Sequence, residues 1–323
     1  MKAIVLTKYG SSDVLELQEV EKPKPKEGEV LVKIQATAIN DWDWCLMRGT
    51  PFYIRLLCGL FKPNIPIPGA EIAGRVEAIA PNVTQFKPGD AVYGDISECG
   101  FGGFAEYVCV PETALALKPD PMTFVEATAL PHAAMLAVQG LVDQGQIQPG
   151  QKVLINGAGG GVGTLAVQIA KSIGVTDVTG VDSSDKFDMM HSVGFGQTID
   201  YTQEDFTQGK ERYDLILDTK TNRSIFNYLR VLNPQGTYVT VGGDTACLFQ
   251  VLLLQAIIRI FSNKRVCLVT LKPNKDLDYI NKLFKAGDVK PVLDGPYTLS
   301  EVPEMIQYFG IGKHQGKVVI ALE

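Results

Sequence analysis

The sequence contains few of the residues that bind metals. It has 3 histidines and 6 cysteines among 323 residues, and no two cysteines form a C-x-x-C pair. Zinc sites need several Cys or His ligands at short spacings, so we predict no zinc. The cysteines are expected to be reduced, buried apolar residues, as in cytoplasmic proteins. The residues concerned are His132, His191, His314, Cys45, Cys58, Cys99, Cys109, Cys247 and Cys267.

The sequence also lacks an excess of basic residues and the common signatures of other enzyme classes. Its 30 Lys and Arg against 36 Asp and Glu give a net charge of −6, whereas nucleic-acid binding needs a basic surface. There is no G-x-S-x-G motif, and no tyrosine is followed four residues later by lysine. The apolar run within Met1–Lys8 is too short for a signal peptide. We therefore expect a cytoplasmic protein with no nucleic-acid partner.

A hydrophobic run long enough for a membrane span is missing as well. The markedly apolar segment Leu248–Phe261 is interrupted by Gln250, Gln255 and Arg259. It falls short of the roughly 20 residues that a span needs. An interfacial contact with a membrane is the alternative. We predict a helix that is buried or lies in a subunit interface, without stable membrane insertion.

The first third of the chain has the pattern of short β-strands. Val30–Ala36 alternates apolar and polar residues, and further short β-type runs are bounded by Gly or Pro. These runs are 69–80, 90–93 and 104–110. We predict a β-rich domain that forms a partly closed barrel.

The pattern changes after residue 122, where a helix is predicted over Glu126–Leu141, and strands and helices alternate from Lys152. Such alternation is typical of βαβ units with a parallel sheet, so the fold class is α/β. The predicted strands are 153–155, 178–181, 215–217, 238–241, 266–269 and 317–320, and the predicted helices are 162–173, 186–193, 224–232 and 276–286.

A glycine-rich turn carries the strongest functional signal. The strand Val153–Ile155 runs into Gly157-Ala-Gly-Gly-Gly-Val-Gly163, which opens a helix with apolar residues at helical spacing. Glycines let the backbone approach a pyrophosphate, and the N–H groups of a helix N-terminus bind it. Ala158 departs from the G-x-G-x-x-G pattern, and a purely structural turn is the alternative. The candidate cofactor-binding residues here are Ala158, Gly159, Gly160, Gly161, Val162 and Gly163.

The end of the second strand of this domain bears on the choice between NAD and NADP. Asp182 stands 19 residues after Gly163, where a carboxylate accepts a hydrogen bond from the adenosine ribose and favours NAD. Ser183, Ser184 and Lys186 follow, and hydroxyls with a cation suit a 2′-phosphate. The alternative is that they form an N-cap and the solvated first turn of the next helix. These residues alone leave both dinucleotides open.

Four further motifs accompany the glycine turn. They are Ala38-Ile-Asn-Asp-Trp-Asp43, Pro68-Gly-Ala-Glu-Ile-Ala-Gly74, Phe86-Lys-Pro-Gly-Asp-Ala-Val-Tyr-Gly94 and Gly103-Phe-Ala-Glu-Tyr107. With these motifs, nearly the whole chain resembles the medium-chain dehydrogenase/reductase superfamily. More narrowly, it resembles the zinc-free quinone oxidoreductase branch, the zeta-crystallin-like proteins. The resemblance implies a Rossmann domain (123–270) inserted in a GroES-like domain (1–122 and 271–323).

Three departures separate the chain from the zinc-dependent branch of that superfamily. It has Asn40 where that branch has a cysteine and Ala70 where it has a histidine. Only Cys99 corresponds to the four cysteines of the structural zinc loop. The resemblance therefore also implies a site without a metal.

The resemblance further implies roles for Asn40, Asp43 and Tyr53. Asn40 and Asp43 would line the site near the nicotinamide, with Asn40 donating a hydrogen bond to the substrate oxygen or to the carboxamide. Asp43 would hold the loop or act as a purely structural cap. Tyr53 would reach the substrate and supply a proton, although the stretch Thr50–Ile65 is longer than in the simplest members.

For the cofactor, the resemblance implies NADPH, because the phosphate-binding lysine and the following tyrosine of the family match Lys186 and Tyr201. Asp182 departs from NADPH-specific members, so NAD stays an alternative. Thr219, Val241 and Gly242 complete the candidate cofactor site. The resemblance also implies a homodimer, with the contact expected at 266–270 and 248–261.

These expectations converge on hydride transfer from NADPH to a quinone or an α,β-unsaturated carbonyl compound. Such acceptors spread the developing negative charge onto oxygen, so the protein needs to orient the nicotinamide, exclude water and supply hydrogen bonds. The alternatives are a cofactor-binding regulator or scaffold with little turnover and an NAD(H)-dependent alcohol or aldehyde oxidoreductase. A methyltransferase is disfavoured by the N-terminal β-domain.

Overall fold

The protein divides into two compact units in the computed structural model, which describes residues 1–322. Unit 1 comprises Met1–His132, Pro273–Leu277 and the chain from Leu293 onward. Unit 2 comprises Ala133–Lys272 and Asp278–Val292. Compared with the boundaries expected from the sequence, residues 123–132 group with unit 1, and residues 271–272 and 278–292 group with unit 2.

Unit 1 is built on a mostly antiparallel sheet with the strand order β14-β15-β3-β4-β5-β7, in which β6 also pairs with β3. Strand β3 lies at the centre and is buried along most of its length, because it pairs with three other strands. Strands β1 and β2 form a separate antiparallel pair. The strands are β1 Lys2–Leu6, β2 Leu15–Glu19, β3 Glu29–Ala38, β4 Glu71–Ile79, β5 Ala91–Asp95, β6 Tyr107–Pro111, β7 Ala116–Leu117, β14 Leu293–Thr298 and β15 Lys317–Ala321.

Short helices flank this sheet. Helix α1 directly follows β3 and ends at Gly49, whose φ of 61° is the left-handed conformation that glycine adopts without strain. Helix α10 packs with α1 in an apolar cluster that includes Leu46, Met47 and Ile306. The helices of unit 1 are α1 Asp41–Arg48, α2 Phe52–Cys58, α3 Phe124–Thr128 and α10 Val302–Gly310.

Unit 2 contains a six-stranded parallel sheet in the order β10-β9-β8-β11-β12-β13. The central strands β8 and β11 are buried at all but one residue each, with a run of buried apolar residues in the middle of each strand, as expected when helices cover both faces of a parallel sheet. The strands are β8 Lys152–Asn156, β9 Asp177–Asp182, β10 Gln197–Asp200, β11 Tyr213–Asp218, β12 Leu232–Thr240 and β13 Arg265–Leu268. The alternating pattern predicted this sheet, although β10 was not predicted.

The helix predicted over Glu126–Leu141 is wrong in detail. The chain forms α3, then α4 over Pro131–Val138, and a π-helical turn over Gln139–Gln144. Pro131 has no N–H group with which to continue a helix from α3, so the helix breaks there. The remaining helices are α5 Gly161–Ser172, α6 Phe187–Val193, α7 Ile225–Arg230, α8 Thr245–Ser262 and α9 Leu277–Ala286.

Helix α8 lies next to the edge strand β13 in unit 2 and exposes most of its apolar side chains. Only Val251 and Ile258 are buried in α8, so this chain does not itself bury the segment, and the alternative of a subunit interface stays a prediction. Judged only by its length and composition, α8 is long enough and apolar enough to cross a membrane. The exposed large apolar residues are Phe249, Leu252, Leu253, Ile257, Ile260 and Phe261.

Candidate active site

The glycine turn lies at the carboxyl end of β8, between Asn156 and the first residue of α5. Gly157 has a φ of 83°, and a Cβ at this position would lie 2.0 Å from Thr219 Oγ1, so only glycine fits. The N-cap residue of α5 is Gly160, which has no side chain to bond the first N–H groups of the helix. An uncapped helix N-terminus beside glycines suits a phosphate. This turn therefore fits the pyrophosphate of a dinucleotide.

Two further glycines allow close packing around the turn. A Cβ on Gly163 would lie 2.5 Å from the carbonyl oxygen of Gly157, so this glycine lets α5 pack against the turn. A Cβ on Gly159 would lie 2.5 Å from Cδ of Lys186. The aliphatic stem of Lys186 therefore lies directly on the turn.

The carboxylate of Asp182 holds the turn and Lys186 together. Its Oδ2 accepts a hydrogen bond from the N–H of Gly159 at 2.9 Å, and its Oδ1 lies 3.3 Å from Nζ of Lys186. Oδ1 also accepts from the N–H of Ser183. Both side chains are buried, so the carboxylate of Asp182 and the ammonium group of Lys186 neutralise each other.

The other residues predicted around the ribose lie close to this pair. The Ser184 hydroxyl and N–H bond the carboxylate of Asp200, which is a second negative charge at the end of the neighbouring strand β10. The Tyr201 side chain is half exposed, and its N–H bonds the carbonyl of Asp182 at 3.3 Å. The structure thus brings the predicted residues together. Their cofactor contacts stay predictions.

Asp218 and Lys220 are functional candidates that the sequence analysis missed. Asp218 is fully buried at the end of β11, and it accepts hydrogen bonds from Asn156 Nδ2, the Tyr238 hydroxyl and two backbone N–H groups. It thereby fixes the loop that contains Lys220. A Cβ on Gly157 would lie 3.1 Å from Cε of Lys220, which puts a second lysine beside the glycine turn. The sequence signal that could have identified these two residues is a charged residue directly after a predicted strand of the parallel sheet.

The remaining predicted cofactor residues lie on the same edge of the sheet. The Thr219 hydroxyl donates to the Asn156 carbonyl at 3.0 Å, and the Val241 N–H donates to the Asp218 carbonyl. The Gly242 carbonyl accepts from the Thr221 hydroxyl at 2.7 Å. Parallel sheets bind ligands outside the carboxyl ends of their strands, so this edge is the candidate cofactor site.

In unit 1, Asp43 is a fully buried carboxyl group at the start of α1. Its Oδ1 accepts from the N–H of Gly69 at 2.8 Å, and its Oδ2 accepts from the N–H of Asn40 at 2.9 Å. Burial raises the pKa of Asp43 to about 7, although these two N–H groups lower it. Asp43 therefore holds two loops together, and its predicted place near the nicotinamide stays a prediction.

Asn40 is also buried, and its amide is already bonded. Its Nδ2 donates to Glu71 Oε2 at 2.8 Å and, at 3.4 Å, to the Ala38 carbonyl, while its Oδ1 accepts from Nζ of Lys317. Glu71 Oε2 lies 2.6 Å from the same Nζ. The Asn40 amide therefore has no free N–H to donate to a substrate oxygen in this structure. Its geometry is that of a fixed support for the loop before α1.

Tyr53 lies on α2 and is 42% exposed. Burial raises the pKa of its hydroxyl, and the neighbouring Cys45 thiol on α1 adds to this. The group is therefore protonated at neutral pH. Its role as a proton donor stays a prediction.

Within residues 1–322, no group of three or more His, Cys, Asp or Glu side chains is arranged to hold a metal ion. His132, on the first turn of α4, instead pairs through Nδ1 with Asp95 Oδ2 at 2.7 Å.

Two families of known proteins match the chain. Residues 26–120 match the alcohol dehydrogenase GroES-like domain, and residues 193–320 match the family described as zinc-binding dehydrogenase. These matches confirm a GroES-like domain combined with a Rossmann-type dinucleotide-binding domain.

Curated relatives match over almost the full chain. A 2-methylene-furan-3-one reductase from Solanum lycopersicum is 35% identical over 99% of this chain and 79% of its own length. An NADPH-dependent alkenal/one oxidoreductase from Arabidopsis thaliana, named chloroplastic, is 32% identical with the same coverage. The structure is also similar to the quinone oxidoreductase from Coxiella burnetii, with a TM-score of 0.88, 26% identity, and coverage of 100% of this chain and 99% of that chain.

We predict that Asp43 makes the stability of unit 1 fall as pH rises. Its pKa is raised from the ordinary 3.8 to about 7, so the folded state holds a proton that the unfolded state has lost. The stabilisation is complete below about pH 4 and is lost as the pH approaches 7, with a slope of roughly 1 kcal/mol per pH unit. An Asp43→Asn variant keeps the shape of the protonated acid and should lack this slope.

Urea unfolding between pH 5 and 6, followed by tryptophan fluorescence, measures this slope. Both tryptophans, Trp42 and Trp44, are in unit 1. An equal pH slope for the wild type and the variant would contradict a raised pKa.

Proposed function

Because this chain belongs to the quinone oxidoreductase branch of the medium-chain dehydrogenase/reductase superfamily, we propose that it reduces quinones or α,β-unsaturated carbonyl compounds with NADPH. The uncapped glycine turn of unit 2 is the observation that carries the proposal, in a chain that matches an enone reductase over 99% of its length. When bound, the dinucleotide supplies the hydride. The residues of this chain bind it, orient it and exclude water.

Unit 2 provides the groups that bind the phosphates. The first N–H groups of α5 bind the pyrophosphate, with Lys220 beside the turn as an additional cation. Lys186 is the cation for the adenosine end. Both lysines are placed by aspartates, since Asp182 pairs with Lys186 and Asp218 fixes the loop of Lys220. Such preorganised charges bind phosphate without a further ordering cost.

Unit 1 provides a fixed loop at the predicted substrate side. Asp43 bonds the backbone of Asn40 and Gly69, and Glu71 and Lys317 hold the Asn40 amide. A rigid loop keeps reacting groups aligned, which is the main need of hydride transfer. We propose that the proton is delivered by solvent or by Tyr53, and that the reaction needs no zinc.

The proposed preference for NADPH rests on Lys186, Tyr201 and the NADPH-dependent relative. Asp182 opposes a 2′-phosphate, so the preference over NADH is expected to be small. At a high effective dielectric, the opposing charge costs on the order of 1 kcal/mol.

We also propose a homodimer that forms at the β13 edge. An edge strand has unpaired N–H and C=O groups, and α8 adds six exposed large apolar side chains next to it. A second copy would cover both at once. The cytoplasmic location and the lack of stable membrane insertion stay predictions.

Absorbance at 340 nm tests the proposed reaction directly. With NADPH, the purified protein should reduce quinones and enones, should oxidise no simple alcohol, and should be unaffected by a chelator.

A Gly159→Ala variant tests whether the glycine turn binds the cofactor. Its methyl group displaces the stem of Lys186, so the KM for NADPH should rise. The proposal fails if only alcohols react and only when zinc is added. NADPH binding without oxidation by any acceptor would favour a regulator or scaffold.

An Asp182→Asn variant tests the proposed cofactor preference. It removes the charge beside Lys186 but keeps an oxygen that can accept from the Gly159 N–H, so the turn should survive. We expect the ratio of kcat/KM for NADPH to that for NADH to rise about fivefold, the equivalent of about 1 kcal/mol. Asp185→Asn is the matched control, because Asp185 is an exposed carboxylate in the short helical turn Ser184–Lys186 that follows Asp182. An unchanged ratio in the Asp182→Asn variant would show that this carboxylate does not face the 2′ position.

A further inference from the structure

Unit 1 contains a chain of four buried charged side chains, of which the proposed function uses only Glu71 and Lys317. Glu71 and Asp95 are no more than 2% exposed, and His132 and Lys317 no more than 7%. Charges without water must be compensated by one another. Here two carboxylates face two cations, so the chain is neutral only when the His132 imidazole is protonated.

Asp95 fixes two segments at which the chain crosses between its two units. His132 is the last residue of the first segment of unit 1, and its Nδ1 lies 2.7 Å from Asp95 Oδ2. Asn274 lies in the short segment Pro273–Leu277. The Asn274 amide bonds both the N–H and the carbonyl of Asp95, each at 2.8 Å. One residue at the end of β5 therefore anchors both segments.

Glu71 links the same histidine to the predicted substrate side. Glu71 Oε1 accepts from the backbone N–H of His132 at 2.6 Å. Glu71 Oε2 accepts from the Asn40 amide at 2.8 Å and pairs with Lys317 at 2.6 Å. The single carboxylate of Glu71 therefore contacts both the start of α4 and the loop before α1.

We propose that His132, held between Asp95 and Glu71, is a positioning residue. It keeps the Asn40–Asp43 loop in a fixed position relative to the segments in which the chain passes from one unit to the other. The charged imidazole fixes the start of α4, and Glu71 passes this constraint to Asn40. Loss of the proton leaves an uncompensated buried carboxylate and loosens the loop. The reaction therefore slows when His132 becomes neutral.

The titration of His132 is governed by the charged groups that face it. Burial alone would lower the pKa of His132, but the hydrogen bond and the charge of Asp95 outweigh it and hold the pKa above its ordinary 6.5, with Glu71 raising and Lys317 lowering it. Burial raises the pKa of Asp95, but the bond and charge of His132 together with the hydrogen bonds from Ser97 outweigh burial and hold the pKa below its ordinary value. Asp43, with a pKa of about 7, titrates in the same range, so the two groups must be separated by variants.

Histidine NMR tests the electrostatic part without any substrate. The chain has 3 histidines, so a spectrum labelled only in histidine contains few signals, and a His132→Asn variant assigns the one of interest. We expect the His132 signal to titrate above pH 6.5 and to shift to a lower pH in an Asp95→Asn variant, with His191 unchanged. The proposal is overturned if His132 titrates at or below pH 6.5 and if the Asp95→Asn variant leaves this titration unchanged. This result is independent of the proposed reductase activity.

Kinetics test the positioning part, which rests on the proposed function. A His132→Leu variant removes both the bond to Asp95 and the charge, and its kcat should fall roughly tenfold with little change in the KM for NADPH. His132→Asn keeps a donor at the Nδ1 position without the charge. Above the pKa of His132, the kcat of this variant should equal that of the wild type. Its kcat should not fall as the pH rises through that pKa. His191→Asn is the control histidine variant.

The kinetic outcomes separate positioning from simple structural support. An unchanged kcat and pH profile in the His132→Leu variant would overturn the proposal. If that variant does not fold, the His132→Asn variant decides, because a pH profile identical to that of the wild type contradicts a role for the charge. An inactive wild type with the expected NMR titration would refute the proposed function while leaving the buried ion pair in place.

Discussion

The buried carboxylate of Glu71 is the constraint on which the organisation of unit 1 depends. A carboxylate with no access to water must be neutralised nearby, and Lys317 does this at 2.6 Å. Lys317 begins the last strand, whereas Glu71 begins β4 in the middle of the sheet. The ion pair that neutralises Glu71 therefore connects the strand β15 to the motif Pro68–Gly74, which contains Gly69. Asn40 and the backbone of His132 complete the set of donors around the same carboxylate.

Unit 2 also contains buried carboxylates that fix its loops, at the sheet edge that forms the candidate cofactor site. Asp182 and Asp218 end β9 and β11, the two strands on either side of β8 in the parallel sheet, and each accepts two backbone N–H groups of the loops at this edge. Because these carboxylates are buried, their hydrogen bonds are strong and fix the loops before a ligand arrives. In each unit taken by itself, buried carboxylates therefore hold the loops that contain the predicted site residues.

The sequence predicted the parts that depend on neighbouring residues, such as the glycine turn and the alternating strands of unit 2. It did not predict the network of Glu71, Asp95, His132 and Lys317, because these residues are far apart and meet only through the fold. For the same reason, Asn40 was expected to donate to a substrate, and its bonds to Glu71 and Lys317 were not foreseen. The apolar pattern of α8 predicted a helix, but apolar residues alone do not show whether their own chain buries them.

A double-mutant cycle on Glu71 and Lys317 tests the dependence on the buried ion pair most directly. The free energy of unfolding of unit 1 would be measured by urea titration with fluorescence of Trp42 and Trp44, both in that unit. Glu71→Gln and Lys317→Met should each destabilise it by about 3–5 kcal/mol, because each leaves an unpaired buried charge. The double variant should lose clearly less than the sum of the two. Strictly additive losses would show that the two charges do not depend on each other and would contradict the account.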